Sequence, residues 1–358
     1  MSTPTTGPIS YKDHIKKEFG LAPSFAAYQS SNSNFANKNV GSMTNLPLDE
    51  GIPTSGSMKF SDFLNKRLNV VVVFDKESIR KNFRTKYNGS SEGNGLFVVG
   101  GHTGQPSTPA GHRIIADVNV TIGSTHQSQG SGKSVRRNVA FNTGTWPGGS
   151  DTHLRINVGS NGKILGQGGD GGRGANAGNN NGINGKSGGS AIGIIDSDVT
   201  VTIKNLGQIN AGFGGGGGGR GKGQSQSTGK KSSVYATSSG GGGGGGQGFP
   251  VGLGGLKGTG ASYGTNGSNG SRGKKILSAG GGGAGGGGGS NAFTGGGGGD
   301  PAGDGAQGGG NAAGTGLGGN NGYTILNVQS GSFNSLFPEG TGNTSGVYAA
   351  NVNSNNIY

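Results

Sequence analysis

Cysteine is absent from the 358 residues, acidic residues number only 16, and no long apolar run occurs. The lack of cysteine excludes a disulfide scaffold and cysteine metal sites. No apolar stretch approaches the roughly 20 residues of a membrane-spanning helix, and the N-terminus lacks the basic and apolar regions of a secretory signal. Few carboxylates leave little material for a glycosidase site. We therefore expect no enzyme, no cofactor and no membrane insertion.

Glycine, by contrast, contributes 88 residues, while hydrophobic residues make up only 28% of the chain. It is concentrated in the second half, in runs such as Gly240–Gly246. Because glycine loses more backbone freedom on folding than any other residue, such runs indicate either linkers or a structure that only glycine permits. The net charge of +13 can attract nucleic acid or acidic polysaccharide, although it also serves solubility.

The first 158 residues predict a short helical segment followed by a β-rich domain. Two similar stretches, PISYKDHIKKEFG (8–20) and GSMKFSDFLNKRLN (56–69), space their apolar residues for short helices. Runs such as LNVVVVF (68–74) and RIIADVNVTIG (113–123) are rich in β-branched residues and predict strands. Between them, KESIRKNFRTKY (76–87) has the apolar spacing of a surface helix.

An internal repeat opens the second half. The stretches LRINVGSNGKILGQGGDGG (154–172) and VTIKNLGQINAGFGGGGGG (201–219) each place an isoleucine in a β-prone segment, a second isoleucine two residues after a glycine, and then a glycine tract. The equivalent positions are Ile156 and Ile203, Gly162 and Gly207, and Ile164 and Ile209. The two copies therefore predict two equivalent structural units.

The later glycine tracts, separated by polar inserts of varied sequence, predict a bundle of packed polyglycine II helices. Such a helix has three residues per turn and a rise of ~3.1 Å, and glycine allows neighbouring helices to hydrogen-bond laterally. A flexible linker is the alternative. The predicted fold is mainly β and irregular. Its predicted parts are an anchoring segment with short helices (1–65), a β-rich domain (66–158), a polyglycine bundle with loops (159–322) and a C-terminal strand or tail (323–358).

Motifs for other functions are incomplete. The sequence GSGKS (130–134) imitates a phosphate-binding loop, but Gln127 stands where that motif needs its first glycine. The five histidines lack the spacing of a metal site. Arg-Gly pairs are typical of RNA-binding segments, but none continues as Arg-Gly-Gly. We expect no nucleic-acid partner, and a glycine-rich RNA-binding protein is kept only as an alternative.

Two sets of motifs resemble bacteriophage tail proteins. GIPTSGSMKFSDFLNKRLNVVV (51–72) and GPISYKDHIKKEFG (7–20) resemble segments of tail-fibre and baseplate-associated proteins. The glycine tracts with variable inserts are similar to the polyglycine-sandwich adhesins at the long-tail-fibre tips of T-even-like phages. The resemblance implies a structural virion protein, synthesised in the host cytoplasm. Its N-terminal segment would attach to other phage tail proteins, and its loops would contact a host surface protein or polysaccharide.

The implied contact loops are 221–239, 247–279, 290–294 and 300–321. Aromatic side chains on loops are common binding hot spots, and basic side chains pair with phosphates or acidic glycans. The receptor-binding candidates are Tyr235, Phe249, Tyr263, Phe293, Lys230, Lys231, Lys257, Arg272, Lys274 and Lys275. The virion-anchoring candidates are Ile9, Tyr11, Ile15, Phe19, Phe60, Phe63 and Leu64. Alternatively, the loop aromatics cap the ends of the glycine bundle.

The leading prediction is thus a tail-fibre or adhesin component that binds the host surface. A baseplate or tail structural protein, whose loops contact only other virion subunits, is the main alternative. No heptad repeat identifies a trimer, and membership of a homotrimer stays open.

Overall fold

The computed structural model describes residues 3–20, 25–28, 38–89, 96–100, 111–124, 138–147, 151–178, 180–228, 232–261, 265–274, 283–289, 292, 294–298, 305–309, 315–328, 343–345 and 347–349. These residues form mainly strands, as expected. Their helices are short: a π-helix at Tyr11–Ile15 that continues as α1 (Lys16–Phe19), 3-10 turns at Phe25–Tyr28 and Phe60–Phe63, and α2 (Phe83–Tyr87).

Most strands follow one another around a three-sided parallel β-helix, in which each turn gives one strand to each of three sheets. The first turn consists of β3 (Asn69–Phe74), β4 (Ser78–Ile79) and β5 (Lys81–Asn82), and the second of β7 (Arg113–Val118), β8 (Thr121–Gly123) and β9 (Val139–Asn142). The third turn consists of β10 (His153–Val158), β11 (Lys163–Leu165) and β12 (Ser190–Ile194). The fourth consists of β13 (Thr200–Asn205), β14 (Gln208–Asn210) and β17 (Tyr323–Asn327). In the described residues, β18 (Asn343–Ser345) and β19 (Val347–Ala349) extend the second and third sheets.

Stacked aliphatic side chains fill the interior of the β-helix. In the first sheet the Cα atoms of Val72, Ala116, Ile156 and Ile203 align in register, and all four residues are fully buried. Alternate residues of a strand point to opposite faces, so one face of each strand joins this core. The internal repeat corresponds to two successive turns, because Ile156 pairs with Ile203 and the second isoleucines of the repeat also pair.

The helix predicted over 76–87 is correct only for Phe83–Tyr87. Residues Ser78–Ile79 and Lys81–Asn82 are instead strands that pair with β8 and β9. Pairing with the second turn of the β-helix satisfies their backbone groups, and this tertiary contact outweighs the apolar spacing of the local sequence.

The N-terminal segment closes over the first sheet. The hairpin of β1 (Lys38–Val40) and β2 (Met43–Leu46) packs on its outer face, where Val40, Val71 and Ile115 share a small buried cluster. Strand β6 (Leu96–Val99) pairs antiparallel with β3 at the sheet edge. Buried Glu18 accepts a hydrogen bond from the N–H of Leu68 (2.7 Å) and lies 3.1 Å from Nδ1 of His112. The segment is therefore tied to the start of the β-helix.

Two glycine-rich insertions leave the β-helix, one between β11 and β12 and one between β14 and β17. Their described tracts lie side by side in three layers. One outer layer holds 182–189, 166–177 and 250–259; the middle layer holds 315–322, 212–221, 239–248 and 265–273; the other outer layer holds 305–309, 294–298 and 283–289. The predicted domain limits at 65, 158 and 322 stay predictions, and strands on both sides of residue 158 share the same sheets.

Backbone hydrogen bonds join neighbouring tracts at every third residue. The N–H groups of Gly169 and Gly172 donate to the carbonyl oxygens of Phe213 and Gly216, both at 2.8 Å. At Gly243, in a middle tract, the neighbouring tract leaves no room for a side chain. A Cβ atom on Gly243 would lie 2.5 Å from the carbonyl carbon of Gly216, which real Cβ atoms essentially never show.

Candidate receptor-binding surface

The glycine tracts have two ends that differ in their surroundings. The near end adjoins the β-helix, where the tracts meet β11, β12, β14 and β17. The far end contains the turn after Ala177, the connection around Thr259 and the start of the tract at Ser239. The tract 239–248 runs antiparallel to 166–177, since Gly246 bonds Gly169 and Gly240 bonds Ala175. Connections between tracts therefore alternate between the two ends.

A β-hairpin forms the largest described connection at the far end. Strands β15 (Lys222–Thr228) and β16 (Ser232–Ser238) pair antiparallel without a register shift, from Lys222 with Ser238 to Thr228 with Ser232. Seven residues per strand span about 24 Å. The backbone of Tyr235 pairs with that of Ser225 in the middle of the hairpin. The sequence identified this insert as a loop but gave no hairpin signal, because the strands are polar.

Side-chain hydrogen bonds fix the other far-end connections. The hydroxyl of fully buried Ser239 donates to the carbonyl oxygen of Gly258 (2.8 Å) and accepts from the N–H of Gly267 (2.9 Å). The amide oxygen of Asn176 accepts from the N–H of Thr259 at 3.2 Å. These bonds restrain the described residues where the chain reverses direction.

Some receptor-binding candidates lie at the near end. The N–H of Phe249 donates to the carbonyl oxygen of Gly166 (2.9 Å), and its carbonyl accepts from the N–H of Ser124 (3.2 Å). Its half-buried ring lies beside Gly123, whose added Cβ would be 3.0 Å from Cε1 of the ring. Phe249 therefore joins the bundle to the β-helix.

The described basic candidates are exposed and divided between the two ends. Lys274 is at the near end, where its carbonyl accepts a hydrogen bond from the N–H of Gly248 at 3.3 Å, and Arg272 precedes it by two residues. Lys257 lies beside the far-end Gly258, and its N–H donates to the amide oxygen of Asn269 at 2.9 Å. Tyr263, Phe293, Lys230, Lys231 and Lys275 lie outside the described residues, as does the side chain of Tyr235.

Six of the seven virion-anchoring candidates belong to one aromatic and aliphatic cluster. Ile15, Phe19 and Phe63 are fully buried, Ile9 and Tyr11 pack against the same core, and Leu64 is half-buried. The cluster is completed by Phe25, whose ring centroid lies 5.7 Å from that of Tyr11 and 4.8 Å from that of Phe60. Phe60 is 46% exposed. The two similar N-terminal stretches thus pack around Phe25, which lies between them in the sequence.

Among the described residues, no three histidine or acidic side chains are grouped so that they could hold a metal ion. In that same part of the chain, no helix has the length and hydropathy needed to cross a membrane.

The family model described as phage tail fibre adhesin Gp38 matches residues 97–292, which is more than half of the chain. The chain therefore belongs to this family of phage tail-fibre adhesins. The predicted relationship to phage tail-fibre proteins is confirmed, and the family is one of structural adhesins that act at the virion tail, between other tail proteins and the host surface. No curated protein and no solved structure matches the chain.

Proposed function

We propose that this protein binds the host surface with the far end of its glycine bundle. The observation that supports this proposal is that the two ends of the tracts have different surroundings. Near-end connections are bonded to the β-helix through residues such as Phe249, whereas the far end presents a long hairpin and hydrogen-bonded turns. Among the described residues, Tyr235 and Lys257 are the receptor-binding candidates that belong to this far end.

The glycine tracts are, in this proposal, polyglycine II helices. The three-residue period of the hydrogen bonds between tracts supports this assignment, because the helix has three residues per turn. Such a bundle holds its tracts together mainly through backbone contacts, and few side chains take part. An insert at the far end could therefore change in sequence and length without repacking a side-chain core, as suits a surface that must match different receptors.

Attachment to other tail proteins is proposed for the N-terminal segment, residues 1–65. Exposed Phe60 sits on the rigid aromatic cluster and offers an apolar contact, while buried Phe19 and Phe63 shape the surface beneath it. A protein of this kind is made in the host cytoplasm before assembly. Membership of a homotrimer stays a prediction, and no feature of the described residues favours the baseplate or RNA-binding alternatives over the adhesin.

Binding of the labelled full-length chain to susceptible cells tests the far-end assignment. A variant lacking 224–227 and 233–236 removes four mutually paired positions from each strand. Because the number is even, the remaining residues keep both their register and the face on which each lies. We expect it to bind cells at least about tenfold more weakly, the scale of one lost hot spot. Lys274→Gln changes an exposed near-end residue and should bind like the unmodified chain. Equal binding by the shortened variant would contradict a hairpin contact, and failure of the unmodified chain to bind or to block phage adsorption would refute the adhesin function.

A further inference from the structure

A groove of about 390 Å³ lies on the outer face of the first sheet, away from the glycine bundle's far end. The β1–β2 hairpin and the loop around Glu50 form one wall. Strands β7, β10 and β13 form the floor, because their alternate residues point outward there. The volume is within the range of small-molecule sites in proteins.

Basic side chains line this floor on successive strands: Arg113 on β7, Arg155 on β10 and Lys204 on β13. Arg113 pairs with Asp49, whose side chain is 1% exposed, so this pair is part of the buried structure. Arg155 pairs with Glu50, whose side chain is 58% exposed. Glu50 is therefore a carboxylate at the groove entrance, and its side chain can turn away from Arg155 into solvent.

The electrostatic field of the groove favours an anion. Partial burial by itself would raise the pKa of Glu50, but Arg155, Arg113 and Lys204 together hold that pKa below its ordinary value. The pKa of nearby His153 is lowered to about 4, chiefly by partial burial and further by the positive charges of Arg67 and Arg113. If the side chain of Glu50 moved aside, the carboxylate of a ligand would meet the same cations.

The groove also offers hydrogen-bonding groups beside the cations. Asn69 is 2% exposed and lines the groove; its Nδ2 donates to the carbonyl oxygen of Pro47 (3.2 Å), and its Oδ1 has no partner among the described residues. That oxygen is itself enclosed by protein atoms, so the polar groups that a ligand can reach are the hydroxyl side chains on the hairpin wall. The side chains of Ser42 and Thr44 supply these hydroxyls, and Leu206, which is 43% exposed, supplies apolar surface.

We propose that this groove binds a sugar acid, a hydroxylated ring that carries a carboxylate. The carboxylate replaces that of Glu50 beside Arg155 and Lys204. Ring hydroxyls reach the side chains of Ser42 and Thr44, and the C–H face of the ring lies on Leu206. The protein would thus contact acidic surface polysaccharide at a place separate from its far-end receptor surface. This inference does not depend on the function proposed for the far end.

Calorimetric titration of the full chain with D-glucuronate and, in parallel, with neutral D-glucose tests the proposal. We expect glucuronate to bind and glucose to bind at least about fivefold more weakly. Lys204→Gln should weaken glucuronate binding by about two- to fivefold, the scale of a partly exposed ion pair. Glu50→Gln should strengthen it by about twofold or more, because the competing carboxylate is gone. The exposed residues Lys76 and Glu77 provide matched controls, since Lys76→Gln and Glu77→Gln make the same charge changes outside the groove.

The opposite signs of the two groove variants separate the proposed site from a general charge effect. Equal binding of glucose and glucuronate, or no binding of either, would overturn the proposal. So would weaker glucuronate binding by Glu50→Gln. Tighter binding of an aspartate dipeptide than of glucuronate would reassign the groove to an acidic peptide and reject the saccharide.

Discussion

Replacing single glycines of the bundle with alanine should give opposite effects at two positions. Gly243 lies in a middle-layer tract, where an added Cβ would be 2.5 Å from the carbonyl carbon of Gly216 and 2.9 Å from the carbonyl oxygen of Gly217, and closer still to that of Gly216. Ordinary contacts of a Cβ begin at 3.4 Å. The neighbouring atoms are backbone, so no side chain can rotate away. The tract itself would have to move.

This displacement has a cost that can be approximated. Overpacking a close-packed interior costs about 1–3 kcal/mol, and each disturbed hydrogen bond adds about 1 kcal/mol. The N–H of Gly243 donates to Gly172 (2.8 Å), and its carbonyl accepts from Gly255 (2.7 Å). Gly243→Ala should therefore lower the free energy of unfolding by about 3 kcal/mol or more.

The control is Gly287→Ala in an outer tract. There the nearest atom to an added Cβ is the hydroxyl oxygen of Ser268 at 3.5 Å, and the backbone does not have the positive φ that would strain alanine. Restricting the unfolded chain should then raise stability by about 0.4–1 kcal/mol. Scanning calorimetry and urea denaturation of both variants measure the difference. Equal effects at the two positions would refute the close packing of the middle layer.

Three further predictions concern the β-helix. Burial and neighbouring cations depress the pKa of His153 in the folded state. The contribution of neutral His153 to stability should therefore be fully present above about pH 6.5 and be lost as the pH drops towards 4. Thermal melts of His153→Asn should show a smaller fall in stability over the same pH range. Glu18→Ala should cost about 1–3 kcal/mol because the N–H of Leu68 loses its acceptor, and exposed Lys17→Ala should be nearly neutral by urea denaturation. Fully buried Ile192→Ala should cost about 2–5 kcal/mol in the same assay, and a loss below 1 kcal/mol would contradict its place in the core.

The sequence was sufficient to predict the β-rich character, the tail-fibre relationship and the repeat of two equivalent units. It was not sufficient to predict closure into a three-sided β-helix. Strands such as β4 and β5 have only two residues, too few for propensity to identify them. Strand β17 pairs with β12 across the whole second insertion, and no local pattern indicates such a distant partner.

The candidate sites show the same division. Aromatic and basic residues in the inserts could be named from the sequence, but the end of the bundle to which each belongs follows from the direction of its tract. Phe249 and Lys257 are eight positions apart in the chain, yet one contacts the β-helix and the other lies beside the far end. The groove was not predicted, because Arg155 and Lys204 come together only through the register of β10 and β13. Glu50 reaches Arg155 from the loop after β2.

The way the bundle joins the β-helix also has a mechanical consequence. In the described part of the chain, the backbone crosses between them after Leu165, before Ser190, after Asn210 and before Tyr323. A force applied at the far end is therefore distributed over these backbone connections. Those at β11 and β14 continue into the second sheet, and those at β12 and β17 continue into the third. Tension along the tracts loads many lateral hydrogen bonds in shear. The far end should therefore resist pulling better than a domain joined through a single linker.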